Sequence, residues 1–275
     1  MIPVTLRDWA PRFLLLLLVA WVLYLLEPGF HQHEAAAAGE LPVEELGPLG
    51  ISATLSYLAG LVMIVLLAGF VSTDRRRGFA HLYLSHPVRP LALYGLRWAL
   101  AAAVALLVSL LFLVLGQTLA WGAFRGGWPG LLLPALSVLV YGGLMAFLSA
   151  ALPRGDAPVA LALFLPTFFP QALFFLENGL NPAGYRLLLF LLPPQWAYQE
   201  VYQGLVTGSP AWAPAAYVAG YGLFWLGLGA LLVRIAGDGA DAPAGPGEVA
   251  HHLLAHEARS AEDGDQPVQA LVPLE

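Results

Sequence analysis

The side chains able to do chemistry in this chain sit in a few short polar stretches between long apolar ones. The densest is Asp74-Arg75-Arg76-Arg77-Gly78, followed by Phe79, Leu82 and Tyr83 at i, i+3, i+4 spacing and closed by Pro87 and Pro90. Adjacent guanidiniums offer forked donors that suit carboxylates. The Phe79, Leu82, Tyr83 spacing gives a short helix one apolar face. A second stretch is His31-Gln32-His33-Glu34. Two imidazoles two residues apart can share a metal in an extended segment, but no third or fourth ligand stands out, so no metal site is expected. His81 and His86 accompany the arginine segment, and His251, His252 and His256 lie in a polar tail.

What is missing excludes more. The chain has no cysteine, which removes disulfides, thiolate metal sites and cysteine nucleophiles. All twelve basic side chains are arginine. Without lysine the chain cannot build a P-loop or a Schiff base of its own. HExxH and GxSxG are absent, and no paired carboxylates fall inside an apolar run. Buried charge or metal ligands are what intramembrane proteases and proton-coupled carriers need. The chain is therefore expected to hold no catalytic residue and no cofactor.

The elements that position these residues follow from composition. Of the 275 residues, 59% are hydrophobic and 11% charged, with mean hydropathy +0.73. Soluble domains carry about 25% charged residues, so an all-α integral membrane protein is expected. Six spans are read, over Phe13–Leu26, Leu49–Val71, Leu91–Leu119, Leu131–Leu152, Ala157–Leu176 and Trp212–Ile235. The first ends in Glu27-Pro28-Gly29 without a small-x-small cleavage motif, so it reads as a retained span. Residues 1–12 precede it as an interfacial helix, with Thr5 and Asp8 at capping-box spacing and Ile2, Leu6 and Trp9 on one face.

Residues 27–48 form an acidic loop on the outer side. Pro153, Arg154, Gly155 and Asp156 form a tight inner turn, and Pro158, Pro166 and Pro170 interrupt the fifth span. Between the fifth and sixth spans, the run Tyr185–Leu192 is too short to cross, Pro193-Pro194 breaks it, and Gln195–Leu205 reads as a short amphipathic helix. That pattern predicts an outer re-entrant or interfacial helical hairpin. Residues 237–275 read as a disordered cytoplasmic tail after a 1–236 membrane domain.

Arginine placement sets the orientation. Arg7, Arg12, Arg75, Arg76, Arg77, Arg89, Arg97, Arg154, Arg234 and Arg259 share one side, and only Arg125 and Arg186 fall on the other. The positive-inside rule makes the first side cytoplasmic, giving an N-in/C-in topology. The net charge of −6 comes from the outer loop and the tail, so no nucleic-acid partner is expected. Gln117, Thr118, Thr167 and Gln171 are candidate polar lining of a pathway, or else hydrogen-bond between helices. Spans without charge suit a lipid-like or amphipathic cargo better than a small ion.

The stretch Asp74-Arg-Arg-Arg-Gly-Phe-Ala-His-Leu-Tyr-Leu-Ser-His-Pro-Val-Arg, flanked by two long spans, resembles the permease subunits of ABC-2 type transporters. Arg75, Gly78, Leu82, Leu84, Ser85, Pro87, Val88 and Arg89 carry the resemblance, with Leu192-Pro193-Pro194, Trp196, Tyr198 and Gly204 before the last span. The chain departs at Arg76, where the family usually has Glu, and at Phe79, where it has Thr. The resemblance covers residues 1–236. It implies a non-catalytic transmembrane subunit in a bacterial inner (cytoplasmic) membrane, pairing with a second permease chain as a homodimer or heterodimer. A separate cytoplasmic ATP-binding cassette ATPase would hold ATP and Mg and press on residues 73–90 and, in part, on residues 1–12. Asp74, Arg75, Arg76, Arg77, Gly78, Phe79, Leu82 and Tyr83 would be its contact. The alternatives are a stand-alone secondary carrier or channel, and a membrane assembly subunit without transport.

Overall fold

Every regular element among the described residues is helical, as long runs of Leu, Ala and Val require where no water satisfies the backbone. The structure is a computed structural model that describes residues 2–26, 49, 51–76, 90–167, 181, 182, 184 and 191–240. Among these described residues eight α-helices follow in order: α1 Ile2–Leu26, α2 Ser52–Leu67, α3 Ser72–Arg76, α4 Pro90–Trp121, α5 Leu132–Ala151, α6 Asp156–Phe164, α7 Gln195–Val206 and α8 Trp212–Ala240. Short 3-10 turns over Trp128–Leu131 and Leu165–Thr167 lead into α5 and out of α6. Residues 1–235 form one compact unit and a second begins at Ala236.

Among the described residues, four stretches are long and apolar enough to cross a membrane: Ser52–Arg75, Pro90–Leu119, Trp128–Ala151 and Trp212–Ile235. The chain is a membrane protein by this measure. The apolar part of α1, Pro11–Leu26, is shorter, and the expected fifth span is described only to Thr167. Residues 185–190, most of the first arm of the expected re-entrant hairpin, lie outside the described residues. Its second arm is seen as α7, one residue longer than expected. Helical backbone continues to Ala240, covering the first four residues of the expected tail from Gly237, and the remainder of that tail lies outside the described residues.

The N-terminal expectation needs correction. No separate interfacial helix precedes the first span. α1 runs unbroken from Ile2 to Leu26 with Pro11 inside it, so neither Thr5 nor Asp8 stands at a helix end. Proline removes one backbone donor, and in an apolar setting neighbouring groups can absorb that loss. α1 meets the bundle along Trp9, Phe13, Leu16, Ala20 and Leu23, a seam repeating every three and four residues. Leu14, Leu15, Leu17, Leu18, Leu25 and Leu26 face outward.

α2 is the central helix, buried on nearly all sides and packed on α1, α4, α5 and α6. Small residues allow that. A Cβ on Gly60 would meet the Tyr141 ring at 2.7 Å, and one on Gly222 would meet the Leu139 carbonyl carbon of α5 at 2.6 Å. Backbone-to-backbone approach of this kind gains dispersion contacts, the main attraction between helices when lipid is as apolar as leucine.

The contacts also sort the ends of the bundle. Tyr24 packs beside Ile51, Leu55, Leu113, Trp121 and Phe124 at one end. At the other, Val71, Ala150, Val233, Phe70 and Tyr94 meet. Successive helices therefore alternate in direction through α1, α2, α4, α5 and α6. Arg12, Arg75, Arg97, Arg154 and Arg234 gather at the second end, and Arg125 stands at the first.

Candidate functional site

The arginine-bearing segment grows out of a break in the second long stretch. α2 stops at Leu67, the chain turns over Ala68–Val71, and α3 restarts at Ser72. Gly69 makes the turn possible with φ of +73°, where a Cβ would also strike the Thr73 hydroxyl. A broken helix exposes backbone donors and acceptors that must find partners when buried. Here side chains from four other helices supply them.

Arg12 of α1 donates from Nη1 to the carbonyls of Val65 and Leu66, at 3.0 and 2.9 Å. Arg97 of α4 donates to the Phe70 carbonyl at 3.2 Å. Ser149 of α5 accepts from the Val71 and Ser72 amides, both at 3.1 Å. Asp156, the first residue of α6, accepts at Oδ2 from the Gly69 amide at 2.9 Å and from the Ser72 hydroxyl at 3.1 Å. Its Oδ1 takes the Ala157 amide at 2.9 Å.

An ion pair closes the knot. Arg97 Nη1 lies 2.6 Å from Asp74 Oδ2, with side chains only 19% and 11% exposed. Tyr94 donates to the same oxygen at 3.5 Å, and its ring meets Phe70 edge-on at 5.8 Å. A partly desolvated pair of this kind attracts strongly, and the loss of one partner strands the other charge. Arg75 donates to the Ala150 carbonyl, so α3 is also held against the end of α5.

The expected contact residues thus divide. Asp74 is buried and engaged within the chain, while Arg75 is exposed. Arg76 ends α3. Arg77, Gly78, Phe79, Leu82 and Tyr83 lie outside the described residues, as do Gln171, His31 and His33. Arg97 turns onto Asp74 and Phe70. Among the described residues no group of three or more His, Cys, Asp or Glu could hold a metal ion.

Of the four candidate lining residues, Gln117, Thr118 and Thr167 are described. Gln117 is fully buried, donating from Nε2 to the Gly126 carbonyl at 3.0 Å and accepting the Arg125 amide at 2.9 Å. It finishes the turn after α4. Thr118 faces outward and donates to the Val114 carbonyl of its own helix at 2.7 Å. Thr167 closes the 3-10 turn after α6.

A second buried polar chain joins α2, α5 and α7. The Ser56 and Ser137 hydroxyls are 2.7 Å apart, and Ser137 donates to the Tyr198 oxygen at 3.3 Å. Burial holds the Tyr198 phenol well above its ordinary pKa, so the group stays neutral. Arg12, Ser149 and Asp156 were not expected at the break. The signal that could have found them is Ala68-Gly69 followed by Ser72-Thr73-Asp74 at the end of an apolar run, which demands outside partners for the freed amides. Comparison with family models, curated proteins and solved structures finds no match for this chain.

Proposed function

We propose that this chain is the transmembrane subunit of an ABC-2 type ATP-binding cassette exporter in a bacterial inner membrane. In this reading it has six spans, with both termini and the arginine-rich end in the cytoplasm. A separate ATPase holds ATP and Mg and pushes on residues 73–90, and a second permease chain completes the pathway. The observation that carries the reading is the anchorage of α3. The segment expected to take the push is rooted in a break whose backbone is held by α1, α4, α5 and α6. A load applied there is shared by most of the bundle. The absence of lysine is consistent, because the energy must then come from another chain.

A secondary carrier also uses broken helices, but its break lies near the midplane and leaves backbone groups free for substrate or ion. Here the break lies in the last third of Ser52–Arg75 and its groups are occupied by the protein itself. The mostly uncharged spans favour a lipid-like or amphipathic substrate.

The test is co-purification with any ATP-binding cassette ATPase encoded beside this gene. Replacing Arg75, Arg76 and Arg77 together with Ala should abolish the complex or its substrate-stimulated ATP hydrolysis while the permease still inserts. Full transport by the chain alone in proteoliposomes would transfer the case to the carrier reading.

A further inference from the structure

We propose that Asp156 is the positioning residue of this joint, setting the direction of α3 by reference to α6 rather than to α2. Three bonds argue for it. Oδ2 takes the Gly69 amide within the bend and the Ser72 hydroxyl just after it, while Oδ1 is fixed to the Ala157 amide of α6. One carboxylate therefore holds the bend, the start of α3 and the start of α6. Its partners are N–H and O–H dipoles, and it sits in the first turn of α6, where the helix end favours negative charge. The bend keeps short-range backbone bonds, from the Phe70 amide to the Leu67 carbonyl and from the Thr73 amide to the Gly69 carbonyl. Across it the helical ladder is interrupted, and Ser149 takes the Val71 and Ser72 amides that α2 would otherwise have accepted.

A displacement of α3 is then delivered through Asp156 to the Leu152–Asp156 turn and to α6. α2 can stay in place because it is tied down separately by Arg12. The delivery step rests on the exporter reading; the geometric role does not.

Amide hydrogen exchange on the full chain in lipid nanodiscs tests the geometric role without any partner. Asp156→Asn keeps the shape of the side chain and removes its charge, and Asp156→Ala removes the acceptor. Losing a charge-assisted bond is expected to speed exchange of the Gly69 amide, which donates to Asp156, about tenfold. Residues 52–64 should be unchanged, and Asn should have the smaller effect. Unaltered exchange at Gly69 in both variants would overturn the proposal. In complex with the ATPase, Asp156→Asn should leave assembly and basal hydrolysis intact and lose most of the substrate-stimulated part. Full stimulation despite faster exchange would overturn the delivery step. If wild-type chain captures no ATPase, the exporter reading fails while the exchange result still decides the role of Asp156.

Discussion

Both ends of the bundle finish an interrupted helix with buried polar side chains, and they do it differently. At the end bearing Arg125, Gln117 reaches only eight and nine residues ahead to Arg125 and Gly126. The guanidinium of Arg125 lies 5.0 Å over the Trp121 ring, again a neighbour in sequence. At the arginine-rich end the partners are far apart in the chain. Arg12 reaches Val65 across 53 residues, Ser149 reaches Val71 across 78, and Asp156 reaches Gly69 across 87. A local turn can rearrange without disturbing its neighbours. A joint shared by five helices cannot, and the proposed handle is mounted on that joint.

Four substitutions sharpen or break this contrast. The largest effect is expected from Arg97→Ala, which leaves Asp74 buried without its cation and should cost about 3–5 kcal/mol. Denaturant titration in mixed micelles measures it, and a double replacement, Asp74→Asn with Arg97→Gln, should recover much of the loss. An equal loss in the double variant would mean that the pair is not acting as a pair. Gly69→Ala comes next, at about 1–2 kcal/mol for a side chain forced into left-handed backbone. It should also loosen the Asp74–Arg97 pairing, visible as faster exchange at Thr73.

Gln117→Ala should cost about 1 kcal/mol, and its effect should stay local. Exchange should rise over residues 122–128 and nowhere at the opposite end. Spread to residues 68–75 would erase the distinction between the two ends. Thr118→Val should leave the unfolding midpoint where it is, because that hydroxyl bonds only its own helix and faces outward.

The same distinction explains how much was legible in the sequence. α4 spans Pro90–Trp121 where Leu91–Leu119 was expected, and α5, α7 and the start of α8 agree to within a residue. Long apolar runs and flanking prolines report on their own neighbourhood, so these boundaries could be read. Residues 1–12 were read as a separate helix, whereas α1 continues through Pro11, since a proline inside an apolar helix can be accommodated by its surroundings. Gln117 was recognisable as a polar residue in need of a partner, but its partner is a turn rather than a pathway. The joint was the least legible part. The arginines announced a functional segment, yet the side chains that root it come from positions 12, 97, 149 and 156. Of these, Ser149 and Asp156 look ordinary in sequence, and only the folded chain brings them to Gly69.

The most direct test of the account is which side of the membrane the arginine-rich end faces. The chain has no native cysteine, so single cysteines at the exposed positions 154 and 125 report on the two ends alone. With a membrane-impermeant maleimide, the account predicts that Arg125→Cys is labelled in intact cells and Arg154→Cys only in inverted vesicles. Labelling of Arg154→Cys in intact cells would put the joint on the wrong side for any cytoplasmic ATPase and contradict the account.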